Sequence, residues 1–221
     1  MKEGRVNASV VERRIAQEKR RRVAEMTREE MQRELLTSEI TGLPNRRAFD
    51  EAGGTRAVAM CDVDGLKALN TYGYETGNAV LKAMADALRE AGLEAYHDKG
   101  DEFLCRDSEI EDLKAKLDRA EAILEDRTIF VDRADGSTLS ITGVNFSYGA
   151  GQNLYEAEVG LKSHKSRRER SGEIARGELR GIIVRASTVV EAFQKRESTS
   201  FVTSVTPLQA AKSQDEPSPL Q

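Results

Sequence analysis

The segment HDKGDEFLC, residues 97–105, sets three carboxylates, Asp98, Asp101 and Glu102, around Gly100 just ahead of a short apolar run. A second acidic pair, Asp62 and Asp64, follows the apolar run AVAMC at 57–61. Two residues apart, these side chains share one side of an extended strand. If the strand end meets the turn, Asp62, Asp64, Asp101 and Glu102 form a cluster of hard oxygen ligands of the kind Mg²⁺ prefers. Left uncompensated, such carboxylates raise one another's pKa, whereas a divalent ion removes that cost and admits an anionic phosphate. Gly100 lets backbone N–H groups come close to such a phosphate. On local pattern alone, a solvated acidic rim on an ordinary hairpin stands as the alternative.

Positioning these groups requires a strand, a hairpin and the helices that cover them. Residues 57–61 read as a buried central strand that delivers Asp62 and Asp64 at its end. Residues 93–96 and 102–105 flank the turn Asp98-Lys99-Gly100-Asp101 as a hairpin. Amphipathic spacing predicts helices over 78–91, ending at Gly92, and over 108–124. Further strands are expected at 129–132 and 138–146, a helix at 153–161 followed by the basic stretch LKSHKSRRER, and an edge strand at 181–184. In TGLPNRRAF, 41–49, Gly42 and Pro44 make a turn and Asn45 caps a short helix over 46–51. The alternation of helices and strands around hairpins predicts an α/β fold, one mixed or antiparallel sheet covered by helices.

Upstream, 10–36 holds no Pro or Gly and is rich in helix formers, so a long N-terminal helix is expected, either a short stalk or a solvated helix packed on the domain. The expected organisation is this helix or stalk at 1–36, one domain at 37–185, and a polar tail at 186–221, Pro-containing and without a core to join. With 221 residues, 38% of them hydrophobic, the chain can bury one core of about 150 residues. A formal net charge of −4 gives no basic field for nucleic acid. No run is apolar enough to span a membrane and the N-terminus lacks the apolar centre of a signal peptide, so a cytoplasmic protein with no membrane partner is expected. Cys61 and Cys105 read as free buried thiols, and His97 and His164 as surface or edge histidines without ligand spacing.

Four blocks in order, TGLPNRRAF, DVDGLKALNTYGYETGN, KGDEF, and LSITG with Lys165 in LKSHKSRRER, resemble the GGDEF domains of diguanylate cyclases over about residues 36–170. The resemblance implies a palm-like sheet and a reaction in which two protomers, each holding a GTP, face one another as a homodimer. Each 3′-hydroxyl attacks the other nucleotide's α-phosphate, giving cyclic di-GMP and pyrophosphate with two Mg²⁺ (or Mn²⁺) ions. It implies Asp62, Asp101 and Glu102 as catalytic residues, with Asp62, the Val63 carbonyl and Asp101 on the metal and Glu102 in support. It further implies Asn70 and Asn78 at the base and ribose, Lys99 and Gly100 beside the phosphates, and Lys165 on the triphosphate.

Four departures from the family pattern bear on activity. Lys99 replaces the first motif glycine, the loop after Asn70 is one residue short, Asn78 replaces a guanine-reading aspartate, and Glu169 falls where a phosphate-binding arginine is usual, with Arg168 and Arg170 beside it as possible stand-ins. The family's product-binding RxxD pattern is also missing, its positions being Glu90 and Leu93. Two readings follow: an active cyclase acting on GTP or another nucleoside triphosphate, or a degenerate domain that binds nucleotide or a protein partner, the latter through its N-terminal helix.

Overall fold

The computed structural model describes residues 25–54, 57–171 and 181–188. The expected long N-terminal helix is interrupted there: helix α1, Arg28–Leu36, starts afresh at Thr27. Thr27 Oγ1 accepts from Glu30 N–H (3.2 Å) while Glu30 Oε2 accepts from Thr27 N–H (2.8 Å), a reciprocal cap that favours a helix start over continuation. No residue of α1 is buried, and Met31 and Leu35 are exposed on it. The portion of the expected helix at 10–24 and residues 189–221 of the expected polar tail lie outside the described residues, while the tail's first three residues, 186–188, belong to a strand rather than to a tail.

Strand β1, Ala57–Val63, runs two residues past its expected end. Ala57, Ala59, Cys61 and Val63 bury toward one side of the sheet, while Val58 packs on the other with Met60 against it. Both faces are therefore covered, which is why the stretch reads as continuously apolar. Helix α2, Arg46–Ala52, is capped by Asn45 Oδ1, which accepts from Ala48 N–H at 3.2 Å. After β1 come a single helical turn α3, Leu66–Leu69, a 3₁₀ turn, Asn70–Tyr72, and helix α4, Tyr74–Glu90. Helix α4 begins four residues earlier than periodicity suggested, because Gly73, at φ +122°, closes the shortened loop directly onto its first turn. The hairpin β2, Glu94–Lys99, and β3, Glu102–Asp107, leads to helix α5, Ile110–Asp126.

Strands β4, Ile129–Asp132, and β5, Ser137–Thr142, precede β6, Phe146–Gly151. The last of these was not expected as a separate strand: the stretch expected as strand at 138–146 breaks after Thr142, and its end opens β6 instead. Helix α6, Leu154–Ser171, carries on through the whole basic stretch, and β7, Ile183–Thr188, pairs with β5. The main sheet has the order β2-β3-β1-β6 and is antiparallel at every ladder; β4-β5-β7 form a second antiparallel sheet. Helices α4 and α5 cover one face over a core that includes Met84, Leu88, Phe103, Leu113, Leu117 and Phe146. Helices α2 and α6 cover the other through Phe49, Val58, Tyr96, Leu104 and Ala157. This is the α/β, palm-like architecture expected of the sequence. Among the described residues no helix is long and apolar enough to cross a membrane.

Candidate functional site

Strand alternation that buries Cys61 and Val63 on the α4/α5 side turns Asp62 to the α6 side. Asp62 stands opposite Glu102 in the β1–β3 ladder, and Val63 N–H donates to the Asp101 carbonyl at 3.2 Å. The end of β1 and the hairpin turn are thereby stitched together. The turn itself is made by Gly100 at φ +57°, where an added Cβ would meet nothing within 4 Å, so its role is conformational and the space beside it is open. Lys99, in place of a glycine, points outward and sets its Nζ 3.6 Å from Glu102 Oε2.

His97 supports this turn from behind, and it is a buried residue, 5% exposed, in contrast to the surface or edge position expected. Its Nε2–H donates to the Gly100 carbonyl (3.1 Å), Nδ1 lies 2.7 Å from Ser38 Oγ, and the ring stacks on Phe103. The hairpin's apolar and polar contacts behind the turn pull the ring inside. His164 is half-buried, with Tyr148 N–H donating to its Nδ1 (3.1 Å). Burial, then the neighbouring Arg168, holds its pKa below the usual histidine range. Cys61 and Cys105 are free and buried, and burial followed by the adjacent Cys105 pushes the Cys61 thiol up.

The four carboxylates do not converge. Asp62 is ion-paired with Lys165 of α6. Its pKa is raised to about 6, first by burial and then by the negative charges of Asp101 and Asp64, against the lowering effect of Lys165. Asp64 instead turns inward, accepting from Ser147 Oγ–H (3.0 Å) and from Arg168 Nη1 (2.8 Å). Burial raises its pKa while Arg168 and Ser147 oppose the rise. Glu102 engages Lys99. Among the described residues no group of three or more His, Cys, Asp or Glu is arranged to hold a metal ion. The expected four-oxygen cluster is thus corrected: Asp62, Asp64 and Glu102 each have a cation of their own, and for the buried Asp64 the reason is that a carboxylate out of water cannot stay uncompensated.

What is left facing the turn is Asp62 with Asp101 close enough to raise its pKa. Two carboxylates fit a Mg²⁺ site of the type completed by water and substrate phosphates, in which the protein gives only one or two such ligands. The Lys165 ammonium at Asp62 marks a point where this chain already stabilises positive charge.

Asn70, on the 3₁₀ turn, is held against α4. A Cβ added to Gly77 would lie 2.9 Å from Asn70 Cγ and closer still to Oδ1, so only glycine at 77 admits the Asn70 side chain there. Asn78 follows, exposed on α4, with Tyr72 and Tyr74 exposed nearby in sequence. Lys165 reaches Asp62 because α6 lies directly on β6. A Cβ on Gly149 would sit 2.5 Å from the Gly160 carbonyl carbon and closer to Leu161 N and Ala157 O, so glycine at 149 is what lets the helix dock on β6.

Ser147 and Arg168 were missed as partners of Asp64. One signal was available: Lys165 and Arg168, three apart on a helix, share a face as Asp62 and Asp64, two apart on a strand, share a side. Arg168 is buried on Asp64 and does not stand in for the arginine replaced by Glu169, which is exposed; Arg170 Nε donates to the Ser166 carbonyl (3.1 Å).

No family model matches the chain. The diguanylate cyclase VdcA of Vibrio cholerae serotype O1 is 37% identical to it over 84 residues, which is 33% of this chain and 25% of that protein. The chain therefore spans about a quarter of that relative. Among solved structures, the diguanylate cyclase SiaD of Pseudomonas aeruginosa, in complex with its activator SiaC, superposes with a TM-score of 0.50 at 24% identity over 74% of each chain. A diguanylate cyclase/phosphodiesterase from Caldicellulosiruptor saccharolyticus gives 0.50 at 19% identity, covering 62% of this chain and 91% of its own. The two structures share the fold described above, and with the sequence match they make the chain a relative of the GGDEF diguanylate-cyclase domain family.

Proposed function

We propose that this chain works in cyclic di-GMP signalling as a nucleotidyl transferase of the diguanylate cyclase type, joining two GTP molecules into cyclic di-GMP with release of pyrophosphate. The observation that carries the reading is the stitched pair at the end of β1: Asp62 opposite Glu102, with Val63 N–H on the Asp101 carbonyl. Asp62, Asp101 and the Val63 carbonyl would hold Mg²⁺ or Mn²⁺, and Glu102 supports the turn that carries Asp101. When bound, the metal neutralises the triphosphate and favours ionisation of the attacking hydroxyl. Gly100 gives the phosphates open backbone, Lys99 adds positive charge at their edge, and Lys165 supplies an ammonium to the triphosphate. Asn70, fixed against Gly77, and Asn78 face the base.

In this reading the domain runs from residue 37 through the end of β7 at Thr188, three residues past the expected boundary, because Ala186, Ser187 and Thr188 pair with β5. One protomer brings one triphosphate, so closing two phosphodiester bonds requires a facing copy, and pairing two copies removes the entropic cost of bringing the nucleotides together. The N-terminal segment at 1–36, its helix interrupted ahead of Arg28, is the element that would hold the homodimer, and a cytoplasmic location suits the substrate.

A second reading is favoured by the Lys99–Glu102 ion pair and by Glu169, which puts a carboxylate where a phosphate would need a cation. In it the domain is catalytically degenerate and acts by binding nucleotide or a protein partner. The deciding experiment incubates the purified chain with Mg²⁺ or Mn²⁺ and labelled GTP, ATP, CTP and UTP over a protein concentration series, with mass analysis of products. A cyclic dinucleotide that forms faster than linearly with concentration and disappears in Asp101→Ala supports the cyclase. Folded protein giving no product at any concentration supports the degenerate module. Asn78 offers one acceptor where an aspartate offers two, so discrimination for guanine is expected to be weaker by about 1 to 3 kcal/mol, the cost of one unpaired buried donor.

A further inference from the structure

The acids at the end of β1 meet α6 through two ion pairs whose basic partners stand about one helical turn apart. On the inner side, Arg168 Nη1 lies 2.8 Å from Asp64 Oδ2, also donates to the Phe146 carbonyl at 2.9 Å, and has Glu121 Oε1 at 3.7 Å. The two side chains are only 10% and 9% exposed. An arginine does not give up its proton in a protein, and breaking a buried pair strands a charge away from water. The Arg168–Asp64 contact is therefore a fixed one. On the outer side, Lys165 keeps 33% of its side chain exposed where it meets Asp62. Its ammonium is a compact charge on a flexible stem with water beside it, so it can change partners.

We propose that Arg168 is a positioning residue: its buried pair with Asp64 clamps α6 against β1, so that Lys165 gives up Asp62 to a divalent cation and turns to the triphosphate without the helix moving. This rests on the site proposed above and adds a division of labour between a permanent and an exchangeable ion pair. In the metal-free protein the Lys165 ammonium stands in for the cation, which lets Asp62 be kept half-buried before substrate arrives. The docking of α6 on Gly149 sets the height of the helix, and Arg168 sets its position along β1.

The test follows Mn²⁺ by electron paramagnetic resonance on the full chain, alone and with a GTP analogue whose α–β bridge is methylene, with thermal melts alongside. Lys165→Met removes the competing internal cation. Mn²⁺ alone then binds more tightly, while Mn²⁺ with the analogue binds about tenfold more weakly, the loss of one charge-assisted hydrogen bond. Arg168→Met weakens Mn²⁺–analogue binding similarly, and adding Lys165→Met to it has little further effect, because a misplaced lysine has no contact left to lose. If Arg168→Met does not fold, Asp64→Asn, which keeps the shape and one acceptor, serves in its place with the same non-additivity expected. Unchanged Mn²⁺ affinity in Lys165→Met, or fully additive effects of Lys165→Met with Arg168→Met or Asp64→Asn, would overturn the proposal. Wild-type Mn²⁺ binding in Asp62→Ala would instead overturn the function on which it rests.

Discussion

Gly77→Ala separates stability from nucleotide recognition at a single methyl group. The position lies inside α4 and is buried, and its backbone is not among those with positive φ. Helix propensity alone therefore favours alanine by about 1 kcal/mol. Against this, the new Cβ would be placed 2.9 Å from Asn70 Cγ and closer to Oδ1, inside any contact real atoms tolerate. Asn70 sits on a three-residue 3₁₀ turn beside an exposed loop and has room to swing outward, so the clash is relieved by moving Asn70 rather than by unfolding. The melting temperature should stay within a few degrees of wild type, as the propensity gain and the displaced side chain offset each other, each about 1 kcal/mol. Nucleotide affinity should drop by about 1 to 3 kcal/mol, roughly 5- to 150-fold, the value of the base and ribose hydrogen bonds that the proposed function assigns to Asn70. Calorimetric titration of the chain with the non-hydrolysable GTP analogue and Mg²⁺ measures this directly. Asn70→Ala should lose the same amount, and Gly77→Ala with Asn70→Ala no more than either alone. Wild-type affinity in Gly77→Ala would refute the reasoning, since Asn70 would then have no part in holding the nucleotide.

Three other outcomes follow from the same geometry. Asp62 holds its proton to about pH 6 in the folded chain against 3.8 in the ordinary state, so without metal the folded chain loses stability as pH rises from about 4 to 6; denaturant melts of Asp62→Asn should lack that decline. Product feedback should be absent: Glu90 puts a carboxylate where the pattern needs an arginine, Leu93 is buried where it needs an aspartate, and the nearby Arg127 is taken up by its ion pair with Glu90 (2.6 Å), so calorimetry should detect no tight cyclic di-GMP binding. Gly149→Ala should destabilise the chain by about 1 to 3 kcal/mol or more in urea melts, because the added methyl collides with the backbone of α6 rather than with a side chain that can turn aside.

The sequence alone determined the elements whose signals are local. Asn45 before Ala48 is a cap wherever it lies, the apolar run 57–61 is a strand because both its faces must be buried, and Gly100 makes a hairpin turn with Asp101 beside it because glycine adopts positive φ without cost. Asp62 and Asp101 were legible as candidates from their spacing, Lys165 and the asparagines at 70 and 78 only from the resemblance, and the α/β class from the alternation of helices and strands. Tertiary structure decided which charges meet. Nothing in the chain order says that Asp64 turns to Arg168, 104 residues away, or that Lys165 rather than another base lies on Asp62. Those partners depend on how close α6 comes to β6, and that distance is set by Gly149 and Gly160, whose role is the absence of a side chain between two packed backbones and shows in no local pattern. Burial then did the rest, since a carboxylate taken out of water must find a cation, and the one it finds is whichever the packing has brought within reach.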